Sequence, residues 1–199
     1  MNEGSGIMLA LLAAGQSRRF GDRDKLSAML GDKMLGIHAA ETGAELPFIR
    51  KLVIGSPMHD CAPQWGALGY QIIANEEAAQ GQATSVRLAA AQAIEVKASA
   101  LCIMLADMPF VTSDHIGRLI AAFEQSGGTS TVASVRNGRA MPPAIFPPAA
   151  FETLIALEGD SGARSLLADA KLVKADDPIL LDIDTGADLA DANIICNNR

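Results

Sequence analysis

Four groups of residues carry the chemistry open to this sequence. The first is a loop. The apolar run Ile7–Ala13 leads into Leu12-Ala-Ala-Gly-Gln-Ser-Arg-Arg-Phe-Gly21, and Lys25 follows. Gly15 and Gly21 allow a sharp turn that presents backbone N–H groups to an anion. Arg19 and Lys25 supply positive charge suited to a triphosphate. The second is Asp107, which ends the apolar run Ala100–Ala106 and precedes Met108-Pro109. A carboxylate there is a hard oxygen ligand of the kind Mg²⁺ accepts beside substrate phosphates. The third is the pair Asp182 and Asp184, which a strand over Leu180–Asp184 points to the same side, so that one of them could complete the metal site. The fourth is Asn75, with Gln80-Gly81-Gln-Ala-Thr-Ser85 opening a helix whose free N–H groups can receive a base edge or an anion.

Each group has a plainer reading. The loop could be a solvated basic turn, Asp107 a turn cap, Asp184 or Thr185 the cap of a final helix, and the Asn75 and Gly81–Ser85 group an ordinary capping turn. Two familiar nucleotide loops are excluded. No GxxxxGK[ST] spacing is present, and Gly4-Ser-Gly6 precedes the first apolar run rather than following it as GxGxxG would.

The elements that must position these residues alternate between short apolar runs and amphipathic ones. Strands are expected at Ile7–Ala13, Lys51–Gly55, Tyr70–Ala74, Ala100–Ala106 and Thr129–Val135, with a last one at Leu180–Asp184. Helices are expected at Lys33–Leu46, Thr84–Val96, Ser113–Gln125 with Thr112 or Ser113 as cap, Phe151–Leu157, Gly162–Asp169 and Ala187–Ala192. Pro142, Pro143, Pro147 and Pro148 are expected to break the later third into short pieces. The alternation predicts an α/β chain with a doubly wound, mostly parallel sheet in three layers, and its continuous apolar strands fit burial on both faces. Ligands of such sheets lie beyond the carboxyl ends of the strands, where the loop and Asp107 both fall.

A length of 199 residues suits a single domain over 1–199, and 49% hydrophobic residues with only 4% aromatics predict a core of Ala, Leu, Ile, Val and Met. A net charge of -7 argues against nucleic acid, which needs clustered basic charge, but leaves room for a small phosphorylated ligand. Cys61, Cys102 and Cys196 form no CxxC or zinc spacing, and an odd unpaired set suits a reducing compartment. The first residues lack a basic export signal and Ile7–Ala14 is too short to span a bilayer, so a soluble cytoplasmic protein with no membrane partner is expected. His38, His59 and His115 fit no motif and read as structural or solvent-facing.

Taken in order, these segments resemble the MobA-like nucleotidyltransferases, which include molybdenum cofactor cytidylyltransferases and guanylyltransferases. Leu12, Ala13, Ala14, Gly15, Ser17, Arg19, Gly21 and Lys25 match the signature loop, and Leu105–Thr112 resembles the segment whose Asp binds metal. Asp182–Leu189 looks like the family's closing motif. Gly138–Phe146 and Gly159–Arg164 are similar to two segments between. Departures are Glu76 for proline, Ala83 for glycine, and Met141-Pro142 where glycine and His or Asn are common.

The resemblance implies a Rossmann-like nucleotide-diphospho-sugar transferase fold, with an NTP-binding half over 1–110 and an acceptor-binding half over 111–199. It implies a nucleotide site at Leu12, Ala13, Ala14, Gly15, Ser17, Asn75, Gly81 and Ser85, and catalysis by Lys25, Arg19 and Asp107. It also implies Mg²⁺ on Asp107 with Asp182 or Asp184, and Arg164 as an acceptor clamp. Ala14 follows the cytidylyltransferase form of the loop, which points to CTP, a molybdopterin acceptor and delivery to a xanthine dehydrogenase–like enzyme. Alternatives are a GTP-dependent guanylyltransferase, a sugar-phosphate nucleotidyltransferase, and a non-catalytic cofactor chaperone on the same fold. A Rossmann dehydrogenase is disfavoured by the missing GxGxxG.

Overall fold

The computed structural model describes residues 6–15, 17, 19–21, 24–158 and 167–197. In chain order the strands are β1 (Ile7–Leu12), β2 (Met29–Leu30), β3 (Lys33–Met34), β4 (Arg50–Gly55), β5 (Gln71–Ala74), β6 (Ala100–Leu105), β7 (Val132–Arg136), β8 (Arg139–Phe146) and β9 (Lys171–Lys174). The helices are α1 (Leu35–Ala44), α2 (Ala62–Ala67), α3 (Gln82–Glu95), α4 (Ser113–Gln125), α5 (Phe151–Ile155) and α6 (Gly186–Asn197). Seven strands form one sheet in the order β5-β4-β1-β6-β8-β7-β9, and β2 and β3 make a separate hairpin. Strands β5, β4, β1 and β6 run parallel, β8 is antiparallel to both its neighbours, and β9 is parallel to β7.

Strand β1 lies inside the sheet between β4 and β6, which explains its composition. Leu9 and Leu11 face one side and join Leu35 of α1, Trp65 of α2 and Ile116, Leu119 and Phe123 of α4. Met8, Ala10 and Leu12 face the other and meet Val86, Ala89, Ala90 and Ala93 of α3 with Phe151 and Leu154 of α5. Both faces are covered, so an alternating pattern has nothing to select it. Alanine along the buried stripe of α3 lets that helix approach the sheet closely, which is how a chain poor in aromatics fills its core.

Helix α4 starts and stops where the sequence predicts, because the Thr112 side chain accepts from the His115 N–H at 3.2 Å and caps it. Two expectations are corrected. The proline-rich stretch is the eight-residue strand β8 rather than a set of short pieces. Pro142 and Pro143 fall at the register shift between Ala133↔Ala144 and Ser134↔Met141, where no ladder N–H is asked of them. Residues 181–184 form no strand. Their tie to the sheet edge is the Ile183 N–H bonded to the Asp107 carbonyl at 3.0 Å, and the backbone then turns into α6. Most of the helix expected at Gly162–Asp169 lies outside the described residues. Among the described residues, no helix is long and apolar enough to cross a membrane.

Candidate active site

The carboxyl ends of β1 and β6 lie side by side, Leu12 in register with Leu105. The chain beyond each runs to the same place, a cleft of about 370 Å³. Its lining includes Leu12, Ala13, Ala14, Gly15, Ser17, Arg19 and Lys25 from the first loop, Gly81 and Ser85 from the start of α3, and Asp107 and Asp184. These residues span the length of the chain and come from four separate segments.

The described residues of the loop are anchored at both ends. Ala13 extends the sheet by one bond, its N–H reaching the Ile54 carbonyl at 2.9 Å. A side chain at Gly15 would meet nothing within 4 Å, so the open space there belongs to the cleft and not to a packed neighbour. The left-handed turn falls on Ser17 (φ +47°) and Gly21 (φ +105°), not on Gly15 as expected from its residue type. Ser17 Oγ accepts the Lys25 N–H at 3.1 Å, and Asp24 Oδ1 accepts the Leu26 N–H at 2.8 Å to cap the short turn Lys25–Ser27.

That turn carries Lys25 into the floor of the cleft, where it is 7% exposed. Its Nζ donates to Asp107 Oδ2 at 2.5 Å and to Asp184 Oδ1 at 2.9 Å. Arg19, largely exposed, donates to Asp184 Oδ2 at 2.7 Å. Burial works against the charge on Lys25, but the two carboxylates outweigh it and raise its pKa above the usual lysine value. Burial also raises the pKa of Asp107; Lys25 opposes this, and the charges of Asp184 and Asp182 add to it. Asp107 Oδ1 is buried without a hydrogen-bond partner.

An unsatisfied carboxylate oxygen beside a second carboxylate, at the edge of an open cleft, fits a divalent cation completed by phosphate and water oxygens. Among the described residues, no cluster of three or more His, Cys, Asp and Glu side chains could hold a metal by protein ligands alone. The donor set thus suits Mg²⁺ or Mn²⁺ shared with a substrate, and not a closed structural metal.

The sequence-predicted residues divide by position. Lys25, Arg19, Asp107, Asp184, Leu12, Ala13, Ala14, Gly15, Ser17, Gly81 and Ser85 all line the cleft. Asp182 does not: it is exposed, and only its charge reaches Asp107. The reason is local. Asp184 N–H and Thr185 N–H both bond to Asp188 Oδ2, at 3.1 and 2.8 Å, and Thr185 Oγ accepts the Asp188 N–H at 3.1 Å. This reciprocal cap starts α6 and ends the extended geometry that would put Asp182 and Asp184 on one side.

Asn75 is also displaced from its expected role. Its amide nitrogen donates to Thr84 Oγ at 2.9 Å and Ser85 Oγ at 2.8 Å, and its Oδ1 accepts the Glu77 N–H at 3.1 Å. The side chain is occupied in holding the turn before α3 and does not line the cleft. Ala83 is 1% exposed and packs inward, so its methyl leaves the cleft untouched. Arg164 lies outside the described residues. Sequence reasoning passed over Leu26, Ala78, Ala79, Gln82 and Leu105, which also line the cleft. Gln82 was signalled by its place in the Gly81–Ser85 segment, whereas Ala78 and Ala79 offer no chemical signal.

Sheet order and the flanking helices define an α/β nucleotide-diphospho-sugar transferase fold, with the acidic groups and the buried lysine gathered in a cleft at its strand ends. The chain belongs to the MobA-like NTP transferase family: the family model, described as "MobA-like NTP transferase domain", matches residues 9–175. It is 32% identical over 191 residues to purine catabolism protein PucB of Bacillus subtilis, covering 87% of this chain and 89% of that one. It is 32% identical over 155 residues to a molybdenum cofactor guanylyltransferase of Cereibacter sphaeroides, covering 77% and 76%. Among solved structures, Rv0371c of Mycobacterium tuberculosis superposes with a TM-score of 0.78 at 23% identity, covering 96% of this chain and 99% of that one. The same protein has been solved in complex with manganese, a structure that matches with a TM-score of 0.75 at 21% identity, covering 95% and 98%. At these identities the structural likeness concerns the fold.

Proposed function

We propose that the protein transfers CMP from CTP to the phosphate of a molybdopterin-type acceptor and releases pyrophosphate, with Mg²⁺. The observation that carries this reading is Lys25, buried in a cleft that Gly15 and Ser17 also line and bonded to both Asp107 and Asp184. The N–H groups of the loop and the Arg19 guanidinium receive the β- and γ-phosphates, and Lys25 turns toward the bridging oxygen that carries charge as pyrophosphate departs. An acceptor phosphate oxygen attacks the α-phosphorus in line; the new P–O bond forms as the α–β bridge breaks, and no protein nucleophile is consumed. Asp107 and Asp184 would hold Mg²⁺, which supplies Lewis-acid neutralisation of phosphate charge when bound. Arg164 and the remainder of 111–199 receive the acceptor.

Ala14 bears on the choice of base. Its methyl group lines the cleft and takes room from a purine, which favours cytosine. Similarity to a protein named for purine catabolism fits delivery of the product to a xanthine dehydrogenase–like enzyme in the cytoplasm. The second reading is guanylyl transfer from GTP, favoured by the similarity to a molybdenum cofactor guanylyltransferase.

Purified protein offered each of the four NTPs with Mg²⁺ and molybdopterin, with pyrophosphate as readout, decides between them. CTP is expected to exceed GTP. The variant Ala14→Gly should move that ratio toward GTP by about tenfold, the worth of roughly one methyl group in a fitted pocket. Preference of the unmodified protein for GTP would establish the second reading instead.

A further inference from the structure

The loop that presents Ser17 and Lys25 rests on a histidine that no motif accounts for. His59 lies between β4 and α2, its side chain 7% exposed. Its Nδ1 accepts the Cys61 N–H at 3.0 Å, which leaves the ring proton on Nε2. Nε2 is buried and makes no hydrogen bond among the described residues; the group it faces is Asp24 Oδ2, at 3.4 Å. The ring is stacked on Trp65, centroids 5.0 Å apart and planes 27° from parallel, so its direction is fixed by packing as well as by Cys61.

Asp24 is the residue through which this orientation reaches the cleft. One oxygen caps the turn that carries Lys25, accepting the Leu26 N–H, and lies 3.5 Å from the Ser17 hydroxyl. The other oxygen meets His59. Although burial favours the neutral acid, contacts with His59, Leu26 and Ser17 hold Asp24 below the usual carboxylate pKa. Ser17 in turn accepts the Lys25 N–H. A route of contacts thus runs from the aromatic stack to the loop: the 3.4 Å approach of His59 Nε2 to Asp24, then the hydrogen bonds from Asp24 and Ser17 to the turn that carries Lys25. It is separate from the acidic floor made by Asp107 and Asp184.

We propose that His59 is a positioning residue for the nucleotide loop: its Nε2–H holds Asp24, which sets Ser17 and the turn that raises Lys25 into the cleft. The inference rests on the reading of the cleft as an NTP site. Two variants separate the halves of the imidazole. His59→Gln can place a donor near the Nε2 position and loses the acceptor for Cys61. His59→Asn keeps an acceptor near the Nδ1 position and loses the donor to Asp24. A role through Asp24 predicts that His59→Asn raises the KM for the NTP about tenfold, leaves the KM for the acceptor unchanged, and is matched by Asp24→Asn, while His59→Gln stays within about threefold of the unmodified protein.

Nucleotide affinity is read separately from turnover by the fluorescence of Trp65, the single tryptophan, which stacks on the residue being changed. Equal impairment of Asn and Gln, or normal NTP affinity in His59→Asn, would overturn the assignment. So would a normal NTP KM in Asp24→Asn, which keeps a side-chain oxygen to cap the turn through the Leu26 N–H. Failure of the unmodified protein to bind any NTP would instead overturn the functional reading beneath it.

Discussion

At the scale of single residues, the site is a problem in charge balance. Lys25 serves two carboxylates, and Asp107 keeps an oxygen with no donor, so removing either partner should cost activity far more than it costs folding. Lys25→Ala and Asp107→Ala are each expected to lower turnover by at least a hundredfold, roughly 3 kcal/mol of transition-state stabilisation, with circular dichroism and melting temperature near those of the unmodified protein. Both residues were legible because a loop or an acid after a parallel strand has one place to go, the crevice at the strand ends. Asn75 was legible as a residue at that crevice but not in its task. Whether an amide faces a ligand or its own chain depends on which hydroxyls the fold brings up, and Thr84 and Ser85 reach it first. His59 left no trace because its importance comes from Trp65 and Asp24, contacts that spacing does not encode.

At the scale of elements, legibility followed burial and capping. β1 and β6 were readable from apolar runs with both faces covered, and α4 from Thr112. Leu180–Asp184 was misread because an Asp-Ile-Asp alternation imitates a strand, while the cap made by Thr185 and Asp188 draws the same residues into a helix start. The Pro142–Pro143 stretch was misread because prolines exclude a regular ladder but not a register shift. That shift is braced by a buried network: Arg118 donates to His115 Nδ1 at 3.1 Å, His115 Nε2 donates to Ser134 Oγ at 2.8 Å, and Ser134 Oγ donates to the Pro143 carbonyl at 2.8 Å.

Burial, aided by the Arg118 charge, pushes the His115 pKa from 6.5 down to about 4. A folded-state pKa below the unfolded value means that the neutral ring is the stabilised form. This contribution is complete above pH 6.5 and is lost as the pH falls toward about 4, amounting to ~3 kcal/mol at the acid end. Urea unfolding at pH 7, 5.5 and 4.5 should show this decline, and His115→Gln should be less stable at pH 7 yet decline less steeply.

For the whole molecule, the cleft joins parts that the sheet alone would keep apart. Asp184 reaches the first loop only because residues 181–184 run beside Asp107 and then enter α6, and Gly31 of the β2–β3 connection bonds to Asn193 of that helix at 2.9 Å. A ligand bound across these segments should therefore stabilise the chain as a unit. CTP and Mg²⁺ together, at about a hundred times the dissociation constant, are expected to add ~2.7 kcal/mol and raise the melting temperature by roughly 5–10 °C. Either alone should do less, and Asp107→Ala should lose the metal-dependent part. Differential scanning fluorimetry reads all of these.

The ion pair between Lys25 and Asp184 spans 159 positions of sequence, and that separation has a consequence during synthesis. At ~5–20 residues per second, a ribosome needs roughly 10–30 s to pass from one to the other. Over that interval the emerging polypeptide carries its cationic loop without one of the two acids that hold Lys25 in place. Messages cut short before Asp184 is encoded should yield only inert protein, unable to commit a nucleoside triphosphate to any reaction.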